Sequence, residues 1–85
     1  MKIYCEMETS YTIEDKELLQ KVGERIRYLR IEAGLSQEKL SFECDLDRTY
    51  IGSVERGERN IAVINLNKLA KALNVSISKL LEIEA

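Results

Sequence analysis

The sequence predicts an all-α domain of five helices, and three observations carry that prediction. Apolar residues recur at helical spacing through most of the chain, which contains no proline. One start signature occurs three times, as Leu35-Ser36 before Leu40, Leu46-Asp47 before Ile51, and Val75-Ser76 before Leu80. Gly34 and Gly57 each follow a helical run, where glycine closes a helix in left-handed backbone. The 85 residues suffice for one small compact domain, and a composition 45% hydrophobic but only 6% aromatic makes its core mainly aliphatic.

Residues 1–12 read as a short N-terminal extension to a domain spanning 13–85. Ile3, Cys5 and Met7 alternate with Lys2, Tyr4 and Glu6, a pattern open to a short strand or a loose arm, with the arm expected. Met7 is a second candidate start. The first helix is expected over 13–33: Thr12 to Asp15 has the form of a capping box, and Leu18, Val22, Ile26, Leu29 and Ala33 follow at helical spacing. The second and third helices, 36–44 and 47–56, open on Ser36 and Asp47. Such side chains accept hydrogen bonds from free first-turn amides, and the apolar residue ahead of each staples to the one at the fourth helical position. Only Asp45 and Leu46 separate the pair, which forces a steep crossing and makes 36–56 a helix-turn-helix unit. Val63, Leu66, Leu69, Ala70 and Leu73 carry a fourth helix over 63–73, and Ser76 opens a fifth over 76–82.

Several function classes are excluded at this level. There is no histidine, and Cys5 and Cys44 lie far apart with no ligand spacing, so neither a metal site nor a disulfide framework is expected. Cys44 falls at an apolar-periodic position and reads as a small core residue; Cys5 reads as an exposed thiol in the extension. No paired-carboxylate motif or phosphate-cradling glycine loop is present, so no enzymatic activity and no cofactor are expected. With 33% charged residues and no apolar segment of signal-peptide or membrane-spanning kind, a cytoplasmic protein without a membrane partner is expected.

The net charge of −2 argues at first against a nucleic-acid partner. That acidity is local, however. Residues 1–20 hold two cations against five anions, whereas residues 21–62 hold eight of each. A balanced domain binds DNA when its cations share one face.

The third helix supplies such a face. With Ile51 and Val54 turned to the core, Arg48, Thr49, Gly52, Ser53 and Arg56 form one contiguous arc on the other side, with Tyr50 at its flank. The arc holds no large apolar side chain and no lysine or glutamate, and it follows a two-residue turn. A solvated surface is the plain alternative reading. Gly52 costs roughly 1 kcal/mol relative to alanine in a helix interior, and its missing side chain is expected to let the helix approach base edges or the sugar–phosphate wall. Major-groove readout uses the N-terminal end of such a helix. Arg48 can donate two hydrogen bonds to guanine, and Thr49 and Ser53 can donate or accept. Gln37, at the start of the second helix, and Arg56, Arg59 and Asn60, around the following loop, suit phosphates.

The segments GLSQEKL, LDRTYIGSVERGERN and LAKALNVSISKLL lie within residues 22–82, where the chain resembles the Cro/repressor-type (XRE-like) helix-turn-helix domains. Within that family it is most similar to the controller proteins of bacterial restriction–modification systems, which share the RTYI and ERG-x-RN elements. The resemblance implies a five-helix domain that dimerises and regulates transcription from partly palindromic operators, including that of its own gene and the endonuclease gene. Carried over residue by residue, it assigns Arg48, Thr49, Tyr50 and Ser53 to base or backbone contacts, and Gln37 and Asn60 to phosphates. It also implies a structural ion pair between Arg30 and Glu55. The chain departs from the family pattern at Asp45, where glycine is usual in the turn, and at Ser41, where alanine is usual. Ala62 brings no capping side chain to the fourth helix, and Gly52 replaces a commoner polar residue.

One helix-turn-helix reads only a few base pairs, so a two-fold pair on double-stranded DNA is expected. Ile64, Ile77, Leu81 and Ile83 exceed the needs of one small core and are expected at a homodimer interface; extra core beneath the extension is the alternative. A rival for the whole chain is a protein-interaction module on the same fold, an adaptor or antitoxin-like partner with little DNA binding. The clustered arginines favour DNA.

Overall fold

In a computed structural model, residues 10–84 are described, and they form five helices with no strand among the described residues. These are α1 (Ile13–Glu32), α2 (Gln37–Cys44), α3 (Arg48–Glu55), α4 (Val63–Ala72) and α5 (Ile77–Leu80). The strand-or-arm expectation for the extension, with its Cys5 thiol, falls on residues 1–9, outside the described ones.

Side-chain caps set the helix starts. Thr12 and Asp15 form the capping box reciprocally, with both backbone-to-side-chain bonds at 3.0 Å. Ser36 accepts from the Lys39 amide at 3.0 Å, and Ser76 accepts from the Lys79 amide at 3.0 Å. Asp47 accepts from the amides of Thr49 and Tyr50 at 3.1 and 3.4 Å. These residues lie just outside the helices because a cap keeps extended backbone. Ala62 opens α4 without a side-chain cap. At the α2–α3 turn Asp45 takes left-handed backbone, φ 59° and ψ 43°, a region aspartate tolerates better than most residues. The fifth helix is a single turn, shorter than expected, and gives way at Leu81 to non-helical backbone (φ −94°, ψ 20°).

Every helix gives the core at least one fully buried aliphatic residue: Ile26, Leu40, Ile51, Leu69 and Leu80, with Val54 and Ala70 beside them. Three of these are the residues stapled by the repeated start signature, and Leu35, Leu46 and Val75 pack against the same cluster. Each such burial is worth ~1.5–3 kcal/mol relative to exposure. Cys44 belongs to this core, and burial pushes its thiol pKa up, so it stays protonated at neutral pH. Leu18 does not join it. The first turns of α1 leave Ile13 and Leu18 exposed, and Ala33 is exposed at the other end, because neither end of this long helix is covered by the four shorter ones.

Polar contacts then fix α3 against α1 and α2. Arg30 donates from Nε and Nη2 to the two carboxylate oxygens of Glu55, at 2.6 and 3.0 Å, and from Nη1 to the Leu35 carbonyl at 2.8 Å. Gln37 adds a hydrogen bond from its side-chain amide to Glu55 at 3.0 Å. Both charges are sequestered, with side-chain exposures of 11% for Arg30 and 2% for Glu55. Nearby, α1 passes so close to the end of α3 that a Cβ on Gly23 would collide with the carbonyl oxygen of Val54 and lie 2.6 Å from that of Glu55. Glycine is required there by contact, not by backbone angle.

Two stability predictions follow from this junction. Glu55→Ala leaves the Arg30 charge buried without its partner and should cost about 3–5 kcal/mol in urea unfolding. Gly23→Ala should cost about 1–3 kcal/mol by overpacking, despite alanine's better helix propensity. A variant at Gly23 as stable as the parent would mean that α1 and α3 do not approach this closely.

Candidate nucleic-acid interface

The exposed end of α3 is its N-terminus. Arg48, the first helical residue, is exposed and makes no hydrogen bond or ion pair among the described residues. Thr49 is exposed beside it, with its backbone amide on the Asp47 cap and its hydroxyl free among the described residues. A guanidinium and a hydroxyl therefore stand side by side on an eight-residue helix whose other end is clamped by Arg30 and Glu55. This arrangement can present fixed donors to an acceptor-rich surface.

Ser53 is not presented in the same way. It is 8% exposed, and its hydroxyl donates to the Tyr50 carbonyl at 2.7 Å, so its one proton is engaged within the helix. The arc drawn from helical periodicity is thus narrower than expected. Gly52 is also buried, and the space beside it is occupied from within the protein. A Cβ there would lie 3.2 Å from the Arg56 guanidinium and 3.4 Å from the Gln37 side-chain oxygen. The expectation that this gap admits DNA is therefore corrected: the missing side chain makes room for Gln37 on its way to Glu55.

Two polar groups flank the exposed end. On one side, Gln37 and Arg56 converge over Gly52. Arg56 is exposed and donates to the Glu58 carboxylate at 3.0 and 3.2 Å. That hydrogen bond holds the Glu58 pKa below the ordinary carboxylate range and raises that of Arg56. On the other side, half-buried Tyr50 accepts a 3.2 Å hydrogen bond from the Asn65 amide and lies under Arg59, whose guanidinium carbon is 5.7 Å from the ring centroid. Asn60 is exposed in the intervening loop. The roles of Glu58 and Asn65 were not foreseen: the first is signalled only by the spacing in ERGER, the second by nothing in sequence.

The four apolar residues assigned to an interface between copies differ in placement. Ile64 is 69% exposed and Leu81 37% exposed, whereas Ile77 packs against the core and Ile83 is half-buried. Val63, which periodicity assigned to the core side of α4, is 71% exposed next to Ile64. The most exposed apolar pair is therefore at the start of α4.

Comparison with known proteins agrees with this architecture. A helix-turn-helix family profile matches residues 26–80. The control protein C.BamHI of Bacillus amyloliquefaciens is 49% identical over 61 residues, which are 71% of this chain and 75% of that one. The crystal structure of the restriction–modification controller protein C.AhdI from Aeromonas hydrophila superposes with a TM-score of 0.72 at 52% identity, over 73% of this chain and 94% of that one. The controller protein C.Esp1396I, solved as a tetramer in complex with its natural 35-base-pair operator, superposes with a TM-score of 0.66 at 44% identity, over 69% of this chain and 78% of that one. No helix among the described residues is long and apolar enough to cross a membrane. The chain belongs to the Cro/repressor-type helix-turn-helix family of transcriptional regulators, alongside the controller proteins of restriction–modification systems.

Proposed function

We propose that the protein is a sequence-specific DNA-binding transcriptional regulator that binds partly palindromic operators as a homodimer. Its role is that of a restriction–modification controller, acting in the cytoplasm on its own gene and that of the endonuclease, without enzymatic activity. The observation that carries this reading is the exposed, unpaired pair Arg48 and Thr49 at the N-terminus of a helix clamped at its other end. Inserted in the major groove, Arg48 reads guanine O6 and N7, and the Thr49 hydroxyl and methyl read a neighbouring pair. Gln37, Tyr50, Arg56, Arg59 and Asn60 hold phosphates on either side and fix the register. Ser53 contributes through the Tyr50 carbonyl it holds, or reaches a base only after rotating off it.

A two-fold pair extends the site. Such a pair has to set equivalent α3 helices about one DNA turn, ~34 Å, apart, a span of the same order as the 35 × 29 × 18 Å domain. We assign Val63 and Ile64, with Leu81 and Ile83, to that contact; Ile77 is half-buried against the core. The restriction–modification controller C.Esp1396I, solved as a tetramer on its operator, supports such an assembly.

Arg56 must exchange partners on binding. Its carboxylate neighbour has a lowered pKa, so the Arg56–Glu58 pair is formed above the ordinary carboxylate pKa and is lost only as pH falls through the lowered value. Across neutral pH, then, a phosphate has to displace a fully charged Glu58. Two tests follow. In selection from a random-sequence duplex library at about 150 mM salt, where weak phosphate-only binding is suppressed, wild type should enrich two-fold sites. Arg48→Ala should lose roughly ten- to a hundredfold in affinity for them while staying folded; no enrichment by folded wild type would sink the reading. Glu58→Gln should bind the selected duplex more tightly, by about fivefold at most given the weight of an exposed ion pair. That gain should vanish in the Arg56→Ala background.

A further inference from the structure

We infer that Asn65 is a positioning residue for DNA binding, which holds Tyr50 so that its phenolic proton is offered outward to a phosphate oxygen. The inference rests on the DNA-binding reading above and concerns one hydrogen bond between α4 and α3. A phenol oxygen has one proton to donate and lone pairs with which to accept. The Asn65 amide nitrogen donates to that oxygen at 3.2 Å, so the inward side of the hydroxyl already meets a donor. A proton cannot point at another proton, and the Tyr50 O–H is thereby directed away from α4.

Three contacts leave the ring little freedom. Its body packs against the core cluster, Arg59 lies over it at 5.7 Å from the centroid, and Asn65 holds the oxygen. What this corner presents is a cation and a neutral donor together. Base edges offer both donors and acceptors, whereas a phosphate oxygen accepts only, so the chemistry matched here is the backbone. Asn65 also directly follows the exposed Ile64. The residue that orients Tyr50 is therefore anchored on the helix assigned to pairing with a second copy.

The test uses the full chain and a duplex selected from a random-sequence library by the wild-type protein, with binding read by fluorescence anisotropy. Tyr50→Phe and Asn65→Ala are each expected to weaken binding roughly tenfold, the weight of one hydrogen bond to a charged acceptor. The double variant should be no weaker than either single one. Because a neutral donor releases no counterion, the salt dependence of affinity should be unchanged in both, whereas Arg59→Ala should lower its slope by about one. Asn65→Asp reverses the polarity: its carboxylate accepts the phenolic proton and draws it inward. It should cost more in the Tyr50 background than in the Tyr50→Phe background, where only its charge acts.

Losses that add in the double variant, or an Asn65→Asp penalty equal in the two backgrounds, would overturn the inference, since a residue that acts independently of the phenol predicts both. Melting temperatures are recorded for every variant, and Asn65→Ser replaces the alanine variant if the latter fails to fold. Failure of the wild type to select any duplex would instead bring down the DNA reading on which this inference rests.

Discussion

The bidentate contact between Arg30 and Glu55 is the constraint on which the rest of the structure depends. The two short helices of the reading unit, α2 and α3, have eight residues each, below the length at which isolated helices persist in water. Their position must come from tertiary contacts. Arg30 reaches in three directions at once, to both oxygens of Glu55 and to the Leu35 carbonyl, while Gln37 closes the fourth side of the carboxylate. The guanidinium thus ties the end of α1, the loop that follows it and the end of α3, and the carboxylate it holds ties in the start of α2 through Gln37. Glu55 is otherwise badly placed, since a carboxylate at a helix C-terminus meets the negative end of the dipole. A buried ion pair adds little net stability because desolvation offsets the attraction. Its contribution here is direction: it holds the C-terminal end of α3 against α1 while Arg48 and Thr49 at the other end stay exposed.

An acidic chain that binds DNA needs economy with charge, and this interface shows how little is required. Arg48 carries the only guanidinium at the reading end of α3, and Arg56 and Arg59 stand in or beside the following loop. The other contributors proposed are neutral: the amide of Gln37, the phenol of Tyr50, the side chain of Asn60. Neutral donors lose nothing to salt screening, whereas Arg56 is already half-neutralised by Glu58. Such a balance lowers sequence-independent attraction, which is purely electrostatic, more than it lowers readout by Arg48 and Thr49. Weak general affinity and geometrically fixed readout together favour discrimination.

Much of this was legible in the sequence, and the pattern of what was not has a physical cause. Four of the five helices were visible because their starts are local chemistry: Thr12, Ser36, Asp47 and Ser76 cap amides within three residues; α4, uncapped at Ala62, was visible only from its apolar spacing. The core was visible wherever periodicity and coverage coincide, as at Ile26, Leu40 and Ile51. It was misjudged at Leu18 and Val63, which keep the right spacing but find no neighbour. Periodicity reports which face is apolar, not whether another element lies against it. On the α3 face, Arg48 and Thr49 are exposed as periodicity suggests, whereas Ser53 turns its hydroxyl back to the Tyr50 carbonyl and Gly52 lies beneath Gln37 and Arg56, contacts that a helical wheel does not show. The Tyr50–Asn65 bond spans fifteen positions and leaves no periodic trace.

Gly52 brings the fold and the interface to the same point. A side chain there would meet Arg56 on one side and the Gln37 oxygen on the other, both within 3.4 Å. Displacing Gln37 would withdraw its hydrogen bond from the carboxylate that orients α3, and it would also move the first residue of α2. Arg56, pushed the other way, would be driven from its place over the helix. The small residue that costs the helix roughly 1 kcal/mol in propensity thus lets two side chains close over α3 together, one holding the keystone and the other held in reserve by Glu58. The gap is internal, and it bears on the proposed interface only through the two residues that fill it.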